Sequence, residues 1–202
     1  MTAMAALRET GFDPLAGTQA LPNRLLDAMA RPGVIVPLGE LDIRLPPAPL
    51  RPACALLLAV LDREASFTVI GPDARLLREY LRFNTNAAIV PLEEAEFVLV
   101  TAPGVVDDRV RSHATADSGR VTRTIVLAPR HVSLTPMPMD VSLVLEEGEA
   151  ASGPRLWVSG LLPEDFDCLA DDRETPPVDV WLAAADGDLV VLPRSLRWRR
   201  ER

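Results

Sequence analysis

Lysine is absent from this chain, and all 21 of its basic residues are arginine. The absence excludes any chemistry in which a lysine amine carries a carbonyl compound or pyridoxal phosphate as a Schiff base. The codon preference of a GC-rich genome is enough to account for it, and the consequence for mechanism holds whatever the cause. Cysteine is nearly absent as well. Cys54 lies in the apolar run Pro52 to Leu61 and reads as a small core residue, whereas Cys168 follows an acidic turn. With no Cys-x-x-Cys spacing and no sign of export, neither a structural disulfide nor an iron-sulfur cluster is expected. The two histidines, His113 and His131, stand alone with no His-x-x-x-His pattern. They read as surface or strand-end residues, and no metal site is expected. Basic excess is missing too: the net charge is −8 and the pI about 4.8, which argues against nucleic acid or an anionic membrane as partner. No apolar run is long enough to cross a bilayer, and the first residues lack the basic start and apolar stretch of a signal peptide, so a cytoplasmic location is expected. Walker, Gly-x-Gly-x-x-Gly and Gly-x-Ser-x-Gly motifs are all missing, which leaves no recognisable phosphate cradle and no nucleophile elbow.

What remains is a chain of 202 residues, 48% of them hydrophobic, enough to bury a core within one domain spanning 1–202. Helical and strand patterns interleave. Helices are expected at Leu15 to Ala30, Pro52 to Leu61, Ala74 to Phe83 and Asp107 to His113. Strands are expected at Gly33 to Leu38, Phe67 to Ile70, Phe97 to Thr101 and Thr124 to Ala128. A proline-rich loop covers Arg44 to Arg51, and Asp73 is placed to cap the third helix. After Met139 the pattern changes to strands joined by polar turns: Val141 to Glu146, Leu156 to Ser159, Val178 to Ala184 and Asp188 to Leu192. The last two flank an Asp186-Gly187 turn that marks a β-hairpin, and Glu147 to Pro154 reads as a flexible loop. The class is α/β: a layered α/β/α domain with a mixed sheet. The acidic pairs Asp107-Asp108 and Asp171-Asp172 are explained by helix dipoles and loops rather than by acid–base chemistry.

Three segments carry more than local structure. In Arg24 to Leu38, RLLDAMARPGVIVPL, a helical stripe of Leu25, Leu26, Ala28 and Met29 stops at Arg31-Pro32-Gly33 and hands over to a strand. Leu81-Arg82-Phe83-Asn84-Thr85-Asn86-Ala87 is the second. The third runs from Asp179-Val-Trp-Leu through Asp186-Gly187-Asp188 to Leu192-Pro193-Arg194-Ser195. In content, order and spacing these resemble the H-subunit family, PhnH, of the bacterial carbon-phosphorus lyase system. Departures include Asn84 where the family's histidine is usual, so that histidine's role does not carry over, Pro22-Asn23 where Phe-Arg is usual, and Pro177 in place of a glycine.

The resemblance implies a fold like that of the pyridoxal-phosphate-dependent transferases, here without cofactor and without the lysine to hold one. It implies a homodimer that also joins the G, I and J subunits of a core complex. It further implies an accessory or assembly role in forming ribose 1-phosphonate 5-triphosphate from a nucleoside triphosphate and an alkylphosphonate, with no complete catalytic site of its own. Carbon-phosphorus bond cleavage then belongs to the iron-sulfur J subunit. The best ligand-site candidate is the helix end, where Arg82 can clamp a phosphate or phosphonate by bidentate bonds and Asn84, Thr85 and Asn86 can supply neutral ones. The competing reading is that these residues simply end a helix. Arg31 and Arg194 are secondary candidates. A free-standing small-molecule enzyme and a structural interaction module unconnected with phosphonates remain alternatives.

Overall fold

A computed structural model describes residues 20–41, 43, 46–107, 109–110, 112, 123–136, 140–146, 153–169 and 178–201. Its described strands form two sheets. The larger has seven strands in the order β1-β10-β9-β5-β4-β2-β3, and the smaller has four in the order β11-β7-β8-β6. The strands are β1 (Val36–Pro37), β2 (Ser66–Ile70), β3 (Ala88–Ile89), β4 (Phe97–Val100), β5 (Thr124–Leu127), β6 (His131–Ser133), β7 (Val141–Glu146), β8 (Arg155–Ser159), β9 (Asp179–Ala183), β10 (Asp188–Leu192) and β11 (Arg197–Arg200). β3, β2, β4, β5 and β9 run parallel, while β10 returns antiparallel to β9 and β1 antiparallel to β10. The sheet is therefore mixed, as the hairpin signal predicts.

Successive side chains of a strand point to opposite faces, and the central strands divide their apolar residues accordingly. Phe67, Val69, Leu99, Val126, Trp181, Ala183, Leu189 and Val191 face one core. Val98, Val100, Ile125, Leu127, Val180, Leu182, Val190 and Leu192 face the other. Three helices cover the first face: α1 (Ala20–Ala30), α2 (Arg51–Val60) and α3 (Ala74–Thr85). The described part of the expected second helical layer is small: Val110, in the helical residues 109–110, packs on the second face. Among the described residues the second face is covered mainly by the four-stranded sheet, through Val132, Val141, Leu143, Leu145, Leu156, Val158 and Trp198, with Phe166 of the short helix α4 (Pro163–Asp167) beside it.

Other boundaries shift for identifiable reasons. Of the first helix, residues 15–19 lie outside the described residues, and in the rest Leu21, Leu25 and Ala28 are buried while Leu26 and Met29 of the expected stripe are exposed. The strand expected from Gly33 to Leu38 shrinks to Val36–Pro37, because Val34 closes a turn onto the Arg31 carbonyl and Pro37 has no N–H to continue a ladder. The helix expected over 107–113 falls largely outside the described residues, although Arg109 and Val110 are helical. Positions 147–152 of the expected loop, His113 and the Asp171-Asp172 pair also lie outside them.

One buried carboxylate joins elements distant in sequence. Asp165 of α4 has no solvent exposure and accepts the N–H of Gly104 at 2.9 Å, of Leu162 at 2.9 Å and of Val106 at 3.4 Å. It thereby ties the loop after β4 to the start of α4. Removing the acceptor leaves buried donors unpaired, each costing about 1–3 kcal/mol. Asp165→Ala is expected to lower unfolding free energy by about 3 kcal/mol or more, read as a shift in urea midpoint at unchanged slope. Asp165→Asn is expected to fall between wild type and alanine.

Candidate functional site

The helix end singled out by sequence is built by α3. Ala74, Leu77, Tyr80 and Leu81 bury one face of this helix, and its last turn meets the amino end of the parallel strands, where Ala88 donates to the Ala65 carbonyl and pairs in register with Ser66. Asn86 stops the helix. It adopts a left-handed conformation, φ 61° and ψ 14°, and its N–H bonds the Arg82 carbonyl at 2.9 Å. Asparagine is among the few residues that enter this region readily. Asn84 Nδ2 donates to the Tyr80 carbonyl at 2.8 Å and Thr85 Oγ1 to the Leu81 carbonyl at 2.8 Å. Thr85 Oγ1 also accepts the N–H of Ala87 at 3.1 Å. The side chains of Asn84 and Thr85 are thus turned back onto the helix's own backbone, whereas exposed Asn86 joins it through its N–H. Arg82 projects outward and pairs with Glu79 at 2.6 Å, both about half exposed.

Arg31 and Arg194 lie elsewhere on the same edge. Arg31 ends α1 in a forked ion pair with Asp27. After Pro32, Gly33 donates to the carbonyl of Val191 at 3.0 Å. Gly33 has φ 75°, and a Cβ there would run into the Leu145 side chain, so the turn requires glycine for both conformation and close packing. Arg194 is exposed in the turn after β10, with its N–H on Asp179 Oδ1 at 2.8 Å. β10 is separated from β2 by β9, β5 and β4. At about 4.8 Å per strand step, the α3 end and the Arg31/Arg194 group stand roughly 19 Å apart. The six candidates therefore share an edge of the sheet but form two groups.

The opposite, carboxyl edge holds polar residues to which the sequence reading gave no such role. His131, at the start of β6, hydrogen-bonds through Nδ1 to Asp186 of the β9–β10 turn. Asp188 stands beside this pair. Burial, then the Asp186 charge, push its carboxyl pKa up, while His131 pulls it down. Sequence placed Asp186 only in a hairpin turn, and no spacing rule links it to His131, 55 positions away. Asp165 did leave a signal: a proline at the first helical position followed by an acid two residues later marks a helix start whose carboxylate can reach back to free N–H groups. Among the described residues, no group of three or more His, Cys, Asp or Glu is arranged to hold a metal ion, and no helix is long and apolar enough to cross a membrane. Burial pushes the Cys54 thiol strongly upward, which keeps it protonated and unreactive at neutral pH.

Comparison with known proteins adds one match. The sequence model of a family described as bacterial phosphonate metabolism protein (PhnH) matches residues 10–134, well over half of the 202 residues. No curated protein matches the chain.

Two outcomes follow from this geometry. Asn86→Ala is expected to cost about 1 kcal/mol through the left-handed backbone, and Asn86→Gly to be neutral or stabilising. The thermal midpoints of the pair isolate the helix-ending role of Asn86 from any role in binding. For Asp188, a raised pKa means that the folded state binds the proton more tightly than the unfolded one. Its ionisation therefore removes stability as pH rises from the ordinary aspartate value, about 3.9, through the raised value. Asp188→Asn is expected to raise the melting temperature at pH 7 and to leave it unchanged below that window, as followed by melting curves across pH.

Proposed function

Because the chain belongs to the PhnH family of bacterial phosphonate metabolism proteins, we propose that it is an accessory, assembly-type subunit of the carbon-phosphorus lyase core complex. In this reading it supports the step in which an alkylphosphonate displaces the purine of a nucleoside triphosphate to give a ribose 1-phosphonate 5-triphosphate. It acts as a cytoplasmic homodimer that pairs with the G, I and J subunits, in a single domain with a fold of the pyridoxal-phosphate transferase type. The family match carries the reading. The distribution of side chains supports a helper rather than a self-sufficient enzyme. The α3 end and the Arg31/Arg194 group do not converge, and Asn84 and Thr85 already serve helix carbonyls. A catalytic site requires groups within hydrogen-bond reach of one reacting atom, and the arginines named here are about four strand widths apart.

At the α3 end the side chain best suited to a ligand is Arg82, whose planar guanidinium can bind two oxygens of a phosphonate or phosphate at once. The absence of lysine leaves no amine for pyridoxal phosphate, so whatever fold the chain shares with those transferases is used without their chemistry.

The test is co-expression of the chain with the neighbouring genes of its own operon. The complex is expected to form and to release adenine from ATP in the presence of methylphosphonate, and omission of this chain is expected to abolish assembly or activity. Full assembly and activity without it would sink the proposal.

A further inference from the structure

The outward face of α3 is basic although the chain as a whole carries a net charge of −8. At about 100° per residue, Arg75, Arg78 and Arg82 fall within an arc of about 60°, and Glu79 is the single acid of the helix beside them. Leu76, 43% exposed, and the partly buried Phe83 flank the stripe. The buried face lies opposite, on Leu77, Tyr80 and Leu81. Arg82 has an acceptor in Glu79, but the Nε of Arg78 is shielded from solvent and has no hydrogen-bond partner. That nitrogen is covered by the protein's own atoms, so a partner laid along α3 meets the exposed Arg75 and Arg82 first.

We propose that the outward face of α3, through Arg75, Arg78 and Arg82 with Leu76 and Phe83 at its margins, docks a carboxylate-rich surface of another protein subunit. The inference rests on the accessory-subunit reading and adds the face and the chemistry of the contact. A net charge of −8 for the whole chain repels acidic partners in general. A local surplus of three arginines over one glutamate therefore steers an acidic surface to this helix. The shape favours protein over a nucleotide. Arg75 and Arg82 are about 10 Å apart along a convex helix, whereas phosphates are held by donors converging in a concavity. Arginine with flanking apolar side chains is also the composition enriched at the centre of protein interfaces.

The experiment compares wild type with Arg75→Glu/Arg78→Glu, and with the milder Arg75→Gln/Arg78→Gln, in the complex co-expressed with the G, I and J subunits. Arg82 is left intact. Arg75 is exposed and Arg78 partly buried, and melting curves of the isolated chain establish that each variant is folded. The reversed pair is expected to weaken incorporation by about tenfold or more and the neutral pair by less, with wild-type incorporation falling as salt rises from 50 to about 300 mM. Should the glutamate pair not fold, the glutamine pair and the salt series carry the test. Folded variants that enter the complex like wild type, at equal salt, overturn the proposal while leaving the accessory role standing. A wild-type chain that never enters the complex overturns both. Loss of ATP binding by the isolated chain, or of its self-association, with incorporation unchanged assigns the stripe to a nucleotide or a second copy and also overturns the proposal.

Discussion

The large sheet must be covered on both sides, and most of the chain's architecture follows from that requirement. β4, β5, β9 and β10 place apolar side chains alternately on two faces. Leaving such a side chain exposed forgoes about 1.5–3 kcal/mol, so neither face can be left to water. Helices from the first half of the chain cover one side. The segment between β5 and β9 supplies the other cover by folding into a sheet of its own, β6, β7 and β8, to which β11 is added at the end. The two sheets meet at Pro129–His131. Here the Pro129 carbonyl accepts from Ala185 of the large sheet's hairpin, and the Arg130 N–H bonds Ser159 of β8. Gly160 closes this junction, since a Cβ there would lie 2.9 Å from the Arg130 nitrogen. The His131–Asp186 bond spans the same seam.

Elements with strong local signals were legible in the sequence, and those defined by tertiary pairing were not. The third helix was readable from Leu76, Leu77, Tyr80 and Leu81 at helical spacing, although Leu76, expected on the buried face, is exposed, and β10 was readable because its apolar run follows an Asp-Gly turn. β11 escaped because its four residues, Arg197–Arg200, include three arginines. As an edge strand it needs only Trp198 inside, and its charges keep the open edge from pairing with other chains. β3 and β6 are two and three residues long, too short for any period to register. The second layer could not be anticipated because a run of strands after Met139 predicts antiparallel pairing but not which face the resulting sheet will cover. At the candidate site, the residues could be located but not their partners. That Asn84 and Thr85 turn inward onto backbone carbonyls is set by the rotamers available on the last turn of a helix.

The three segments that carry the resemblance to the family, two of them within the matched residues 10–134, can be placed on the fold. Arg31-Pro32-Gly33 packs beneath β10 and against Leu145, the α3 end closes over β2 and β3, and Asp179 binds the Arg194 N–H to pin β9 against the chain leaving β10. Parts of all three build the amino edge of the parallel strands, while the Asp186–Asp188 turn of the third, with Leu38 of the first bonded to Gly187, lies at the carboxyl edge. In open α/β sheets, ligands gather at the carboxyl edge, where strand order reverses.

Arginine alone carries the positive charge of this protein, and its geometry shows in how that charge is used. Arg155 and Arg200 each meet both oxygens of one carboxylate, on Glu201 and Asp167, a fork that a lysine amine does not reproduce. Arg82 differs from these two. Its contact with Glu79 is a one-turn pair on an open helix face, both partners about half exposed, and such pairs contribute at most about 1 kcal/mol. Exchanging Glu79 for an incoming anion therefore costs little, whereas recruiting Asn84 or Thr85 would first break bonds that finish the helix. At the α3 end the guanidinium of Arg82 can change partners without unravelling the structure. It lies on the same stripe as Arg78, whose buried Nε lacks an acceptor. An oxygen-bearing surface laid along α3 would exchange for the partner of Arg82.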